Sequence, residues 1–106
     1  MTEEEERKVV EMTVRAMKKE GMTKDFQEVT YKEMARKLHS HYSDEYSEKV
    51  ARAVEGVKTD PYYAIIPMYY GKKMTHEQIA EEMSVEVSTI TRNKKRLCIE
   101  IYLRMG

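Results

Sequence analysis

Apolar residues along the chain recur mostly three or four positions apart, and strict alternation of apolar and polar residues is rare. This spacing puts apolar side chains on one face of an α-helix, whereas alternation is typical of a strand. Only two prolines and four glycines interrupt the chain, and helix-forming residues such as Glu, Lys and Met are frequent. The pattern therefore predicts an all-α fold.

Two helices are predicted at the start of the chain. The first runs from about Glu3 to Glu20, because its acidic start and basic end both suit the helix dipole. Residues 22–29 are predicted to form a loop. Thr30 and the glutamate three positions later have the spacing of a capping box, which predicts a second helix from Thr30 to about His41.

A third helix is predicted to begin at Ser43 or Asp44 and to end between Gly56 and Thr59. Its apolar residues follow the helical spacing; they are Tyr46, Val50, Ala53, Val54 and Val57. An apolar stripe of this kind is expected to pack against a core.

Asp60 and Pro61 predict the start of a short helix, because Asp is a common cap and Pro suits the first turn. Its apolar residues are Tyr62, Ile65, Ile66 and Tyr69. Pro67 lies inside this pattern and is expected to kink or shorten the helix, because proline lacks a backbone donor and crowds the preceding turn. Residues 70–74 are predicted to form a turn.

Residues 75–97, THEQIAEEMSVEVSTITRNKKRL, fit a helix-turn-helix, in which two helices cross after a short turn. Thr75 begins the first helix with a capping box. Ala80 provides the small residue where the second helix crosses, and Ser84 stands in the turn where glycine is common. The predicted core contacts are Ile79, Met83, Val85, Val87, Ile90 and Leu97. The predicted fold is a small helical domain with this C-terminal motif and a long last helix.

The second helix of the motif carries a run of polar and basic side chains without an acid. The run consists of Ser88, Thr89, Thr91, Arg92, Asn93, Lys94, Lys95 and Arg96. A basic cluster is usually a solvated face. Here it lies on the helix that enters the major groove of DNA in helix-turn-helix proteins, which favours contact with DNA.

Different roles are predicted within this DNA-binding set. Thr89 and Arg92 are the leading base contacts, because Arg pairs well with guanine. Ser88 and Asn93 come next, since Asn pairs with adenine. The residues predicted to contact phosphates are Lys72, Lys73, Thr75, Lys94, Lys95 and Arg96.

The segment from Thr30 to Leu38 repeats the cap, the apolar pair and the central alanine of the segment from Thr75 to Met83. Two interpretations stay open, a degenerate second DNA-binding unit and an ordinary capped helical hairpin. The segment after Leu38 is longer than a tight helix-turn-helix turn, so we favour the hairpin.

With 106 residues, the chain has room for one compact domain. We expect an N-terminal helical region at 1–58 and a helix-turn-helix region at 59–106, packed as one unit. Charged residues make up 36% of the chain but balance to a net charge of zero, so a DNA-binding charge must be a local patch. The single cysteine, Cys98, excludes an internal disulfide and indicates a reducing compartment.

The sequence disfavours several other classes of protein. No apolar run is long enough to cross a bilayer and the acidic start is unlike a signal peptide, so we expect a cytoplasmic protein with no membrane partner. No paired carboxylates, phosphate-binding loop or catalytic triad appears, so we expect no enzyme activity and no cofactor. His39 and His41 have no third ligand nearby, so no metal site is expected.

A family resemblance covers residues 60–106, DPYYAIIPMYYGKKMTHEQIAEEMSVEVSTITRNKKRLCIEIYLRMG. This segment resembles the C-terminal part of the small phage-encoded late-transcription regulators of Gram-positive hosts, the ArpU and RinA type. Those are similar in turn to the sigma-factor domain that reads the upstream promoter element. The resembling features are Tyr62-Tyr63, Ile65-Ile66, Tyr69-Tyr70-Gly71, the helix from Thr75 to Met83, Ser88-Thr89-Ile90 and the run from Arg92 to Leu97.

The resemblance implies a small transcription activator that acts at a phage promoter and contacts RNA polymerase. Pro67 departs from the family pattern, because the corresponding helix is normally uninterrupted. Glu86 and Val87 depart from it as well, since a small polar pair is more common at that place.

We therefore expect a DNA-binding transcription regulator that contacts the major groove of double-stranded DNA with the helix from about Val87. Two alternatives stay open: an adaptor that binds RNA polymerase or a sigma factor, and a small-terminase-like subunit for DNA packaging. The helix after Leu97 is apolar nearly all round, so either the N-terminal helices or a second subunit must cover it. We favour a homodimer, which is common among helix-turn-helix proteins on palindromic sites.

Overall fold

The computed structural model describes residues 24–105, which form four α-helices and one π-helical segment. The elements are α1 (Lys24–Ser43), α2 (Glu48–Glu55), the π-helical segment (Pro67–Gly71), α3 (His76–Met83) and α4 (Val87–Met105). Residues 24–105 contain no strand, so the predicted all-α class with a long last helix is confirmed. Over the same range, no helix combines the length and the apolar character that crossing a membrane requires.

α1 begins earlier than the sequence pattern predicts. The predicted loop at 22–29 is wrong for its described part, because that part already belongs to the helix. Thr30 lies on the same helical face as Met34 and Leu38, four and eight positions later, and all three are buried. The Thr30 side chain therefore packs in the interior, and the helix start predicted there is wrong. The helix predicted from Glu3 to Glu20 lies outside the described residues.

α2 begins several residues later than predicted, because Ser47 caps it. The Oγ of Ser47 accepts a hydrogen bond from the backbone N–H of Val50 at 3.2 Å. The backbone N–H of Ser47 donates to Nδ1 of His41 at 3.0 Å, which ties the end of α1 to the start of α2. Tyr46 therefore precedes the helix and is exposed, although the sequence placed it on the apolar stripe. The predicted end is confirmed, with Gly56 as the C-cap.

Pro67 changes the type of helix in which it lies. Residues 61–64 form turns rather than the regular helix predicted from Asp60, and Oδ1 of Asp60 accepts a hydrogen bond from the backbone N–H of Tyr62 at 2.9 Å. Proline has no N–H to donate, and the ladder here is wider than in an α-helix. The backbone N–H of Lys72 donates to the carbonyl of Pro67, five residues earlier, at 2.9 Å. The disturbance predicted at Pro67 is thus confirmed as a π-helical segment, which carries the fully buried Tyr70.

The larger core lies between α1, α2 and the C-terminal half of α4. Its buried residues come from both sides of position 58: Met34, Leu38, Val50, Ala53, Val54, Val57, Ile66, Tyr70, Leu97, Cys98 and Ile101. Tyr102 and Met105 pack partly against the same cluster. The N-terminal helices therefore cover much of the apolar surface that follows Leu97 in α4.

A smaller core holds together the unit formed by α3, the turn and α4. Its buried residues are Ile65, Ile79, Ala80 and Ile90, and Met83 and Val85 pack partly against them. Most core contacts predicted for the helix-turn-helix are thus confirmed. Val87 is the exception, because it lies at the open end of α4 and is exposed. Ser84 adopts the left-handed conformation, with φ 57° and ψ 45°, at the turn position where glycine is common.

A buried ion pair joins the segment after α2 to α4. Nη1 and Nη2 of Arg96 donate to the two carboxylate oxygens of Asp60 at 2.8 and 2.9 Å, and the two side chains are 7% and 4% exposed. Nε of Arg96 donates to Oδ1 of Asn93 at 3.1 Å. Each nitrogen of the guanidinium therefore has an acceptor, and the orientation of α4 is fixed relative to Asp60.

Asp60→Asn should destabilise the fold, because it removes the carboxylate that accepts from Nη1 and Nη2 of Arg96 and leaves this buried guanidinium with the longer contact of Nη1 to Glu100, at 3.5 Å. Breaking one half of a buried ion pair costs about 3–5 kcal/mol. Urea unfolding followed by circular dichroism measures this loss. The matched control is Arg52→Ala, which removes an exposed ion pair with Glu48 and should cost less than about 1 kcal/mol. Equal losses for the two variants would contradict the role assigned to the buried pair.

Candidate nucleic-acid interface

α4 presents a stripe of polar side chains near its N-terminus, which we call the polar stripe: Ser88, Thr91, Arg92 and Lys95. The first three are exposed and Lys95 is half-buried. Their spacings of three, four and seven positions place them on one face of the helix. Oγ1 of Thr91 donates back to the carbonyl of Ser88 at 3.1 Å. Thr89 lies beside the stripe and is half-buried.

Three residues predicted for the exposed run are buried instead. Asn93, Lys94 and Arg96 are 5%, 4% and 7% exposed. Asn93 and Lys94 follow Ile90 by three and four positions, so they share the helical face that Ile90 packs into the core. Arg96 is held by Asp60. The exposed position expected for these three side chains is therefore wrong, and we leave them out of the interface.

Lys94 connects α4 to the start of α3. Its Nζ lies 2.8 Å from Nε2 of His76, the first residue of α3, and 3.9 Å from the centre of the Tyr69 ring. The rings of Tyr69 and His76 stack at 4.9 Å with their planes 10° apart. A charged ammonium can only donate, so neutral His76 must accept at Nε2 and carry its proton at Nδ1. A lone pair and an aromatic face thus compensate the buried cation.

Burial changes the proton affinities of this cluster. It lowers the pKa of the Lys94 ammonium. Burial first, and the nearby Lys94 cation second, lower the pKa of His76, while Glu77 opposes the shift. The pKa of His39 is also lowered, by burial and then by the charges of Lys73 and Lys94. The environment therefore favours neutral imidazoles beside α3.

The turn before α3 holds the other residues predicted to contact phosphates. Lys72 and Lys73 are exposed, and Nζ of Lys73 donates to Oγ of Ser43 at 3.1 Å. Oγ1 of Thr75 accepts from the backbone N–H of Gln78 at 3.1 Å, and Oε1 of Gln78 accepts from the backbone N–H of Thr75 at 2.9 Å. The predicted capping box is confirmed, and it holds Thr75 at the surface.

Acidic residues lie on the elements that neighbour the polar stripe. Three exposed glutamates belong to α3, and one precedes α4: Glu77, Glu81, Glu82 and Glu86. On α1, Oε2 of Glu28 accepts a hydrogen bond from Nζ of Lys95 at 2.5 Å. Around the polar stripe, the basic surface is therefore narrow and consists mainly of Arg92, Lys95 and the lysines of the turn.

The sequence contains a signal for some of these contacts and none for others. Lys94 follows Ile90 by four positions and precedes Leu97 by three, so helical phase alone assigns it to the buried face. Glu28 and Lys95 are 67 positions apart, and no local pattern links two such residues. Glu28 falls in the segment predicted to be a loop, so no contact between Glu28 and α4 was predicted.

The exposed groups of this surface suit an anionic partner. Hydroxyls, a guanidinium and ammonium groups donate hydrogen bonds to phosphate oxygens and to base edges. Within the described range, no group of three or more His, Cys, Asp or Glu residues could hold a metal ion. In comparisons with known proteins, no family model, no curated protein and no solved structure matches the chain.

The pKa of His76 should lie below the unperturbed value of about 6.5, because burial and Lys94 both disfavour its charged form. An NMR titration of the histidine ring protons measures it, and His76→Gln assigns the signal. Lys94→Met should raise the pKa of His76 partway, since it removes the cation but leaves the ring half-buried. A His76 pKa at or above about 6.5 in the parent would contradict the assigned geometry.

The same shift makes the free energy of unfolding depend on pH. Because the pKa of His76 is depressed in the folded state, its contribution to stability is complete above the unfolded value of about 6.5 and is lost as the pH falls through the folded value. Urea unfolding on either side of this range measures the loss. As the pH falls through this range, the free energy of unfolding should decrease less for His76→Gln than for the parent. The reason is that the Gln side chain can accept a hydrogen bond from Lys94 but does not titrate. An unchanged pH profile would argue against this link.

Proposed function

We propose that this protein is a DNA-binding transcription regulator that contacts the major groove with the N-terminal half of α4. The observation that supports this most is the polar stripe, four side chains without an acid on the second helix of a helix-turn-helix. In proteins with this motif, the first residues of the second helix contact base edges. The stripe occupies that part of the helix here.

The length of the polar stripe suits a short DNA site. Ser88 and Lys95 are seven positions apart, which corresponds to about 10 Å along the helix axis. At about 3.4 Å per base pair, this length spans roughly three base pairs. Arg92 lies in the middle of the stripe and can donate two hydrogen bonds to guanine. Ser88 and Thr91 precede Arg92 along the helix and contact neighbouring bases, and Thr89 contributes from the edge of the stripe.

Phosphate contacts fix the position of the helix in the groove. We assign them to Lys95 at the end of the stripe and to Lys72, Lys73 and Thr75 at the start of α3. Such contacts carry no sequence information, but they set the salt dependence of binding. With few exposed cations around the polar stripe and a net charge of zero for the chain, the affinity for non-specific DNA should be low.

The finer assignment rests on the resemblance of residues 60–106 to phage late-transcription regulators. On that basis we propose an activator that contacts RNA polymerase. The proposal also includes a location in the cytoplasm and binding to palindromic sites as a homodimer, which is common among helix-turn-helix proteins. Selection of bound sites from a random duplex pool tests this. An enriched palindrome supports the dimer, and a single asymmetric site supports a sigma-like monomer. No enrichment, together with capture of RNA polymerase, would instead favour the adaptor.

Arg92→Ala should weaken binding to the selected site by about 1–3 kcal/mol and relax the base preference of the protein, because a bidentate contact to guanine is lost.

Lys95→Ala should weaken binding to all duplexes similarly and flatten the salt dependence of binding, because the phosphate contact that is lost would have released a counterion. Gel-shift titrations of the selected and a scrambled duplex, each at two salt concentrations, distinguish the two effects.

Arg52→Ala is the control for the loss of a positive charge. Arg52 pairs with Glu48 on the exposed surface of α2, so this variant should keep the base preference of the parent. The groove assignment of α4 is wrong if Arg92→Ala and Lys95→Ala both bind like the parent at both salt concentrations.

A further inference from the structure

One ion pair connects the polar stripe to the N-terminal part of the described chain. Nζ of Lys95 donates to Oε2 of Glu28 at 2.5 Å, and the two side chains are 36% and 44% exposed. Glu28 belongs to α1, so the contact bridges two helices that are distant in the sequence. Because both side chains remain partly open to solvent, the pair can separate without unfolding either helix.

Glu28 binds Nζ of Lys95, the ammonium group that the proposed function assigns to a DNA phosphate. A carboxylate and a phosphodiester are both anionic oxygen acceptors for an ammonium group. Lys95 lies two helical turns after Ser88, at the end of the polar stripe, which is where the phosphate backbone borders the groove. A phosphate that binds Lys95 must therefore displace the Glu28 carboxylate, and the displaced carboxylate remains close to the DNA.

We propose that Glu28 is an internal competitor of the DNA backbone for Lys95 and lowers the affinity of the interface for every duplex. The inference rests on the proposed function. Two effects contribute: the ion pair must break, and the displaced carboxylate repels the phosphate. Because an ion pair breaks as the phosphate binds, part of the counterion release that Lys95 would otherwise cause is offset. Glu28 thus reduces both the affinity and the salt dependence of binding.

Glu28→Gln tests the proposal, because it removes the charge and keeps the size of the side chain. It should tighten binding to selected and scrambled duplexes by roughly two- to tenfold, as expected for a partly exposed charge pair and its repulsion of a nearby phosphate. The slope of log K against log salt should become steeper by up to about one. Circular dichroism should show an unchanged fold, since exposed ion pairs contribute little to stability.

Glu33→Gln is the matched control. It makes the same charge change on the same helix, but Glu33 pairs with Arg36 within α1. At moderate salt its effect on DNA affinity should be less than about twofold, because separated surface charges are screened. Equal tightening by Glu28→Gln and Glu33→Gln would show that net charge alone acts, and would overturn the proposal.

The double variant Glu28→Gln, Lys95→Ala separates competition from repulsion. In the Lys95→Ala background, Glu28→Gln should tighten binding less than it does in the parent, because there is no ammonium left to release. An equal effect in both backgrounds overturns the competitor role. Only this inference fails if three results occur together: the parent binds DNA, Lys95→Ala weakens that binding, and Glu28→Gln leaves the affinity unchanged. If neither the parent nor Glu28→Gln binds duplex DNA at low salt, the proposed function fails as well.

Discussion

The buried ion pair between Arg96 and Asp60 fixes the direction in which each face of α4 points. Removing two charges from water is costly, and their attraction offsets that cost only when the geometry is good. Here the guanidinium fork meets both carboxylate oxygens, and Asn93 accepts from the remaining Nε–H. These bonds form together at one rotation of α4, the same rotation at which Ile90 and Leu97 enter the two cores and the polar stripe lies outside them.

Lys94 extends this constraint to α3. Its ammonium contacts His76 and the Tyr69 ring, so the start of α3 is held against the buried face of α4. Two of the four basic side chains between residues 92 and 96 therefore serve the packing of the motif. The basic run leaves fewer charges at the surface than its composition suggests. In the proposed DNA-binding role, a helix pair with few exposed cations favours base contacts over general attraction to phosphates.

The range of each interaction explains how much of the structure the sequence could predict. The start of α3 at Thr75 and the turn at Ser84 were predictable, because capping and a left-handed turn residue act over a few positions. Thr30 carries the same local capping signal, yet it is buried within α1, because packing beside Met34 overrides a weak local preference. The basic composition around Lys94 favours an exposed position, whereas its helical phase relative to Ile90 and Leu97 predicts the buried position that is observed.

Long-range ion pairs account for the remaining differences between the predicted and the observed structure. The exposure of each pair distinguishes a pair that holds the fold together from one that is open to a binding partner. Arg96 lies 36 positions after its partner Asp60, and Lys95 lies 67 positions after Glu28. In the sequence the two cations look alike. In the fold, the side chain of Arg96 is 7% exposed and cannot exchange its partner without leaving a buried carboxylate unpaired, whereas Lys95 can exchange a carboxylate for another anion at the surface. Exposure, and not the number of basic residues in the run, therefore decides which of these cations can belong to the candidate interface.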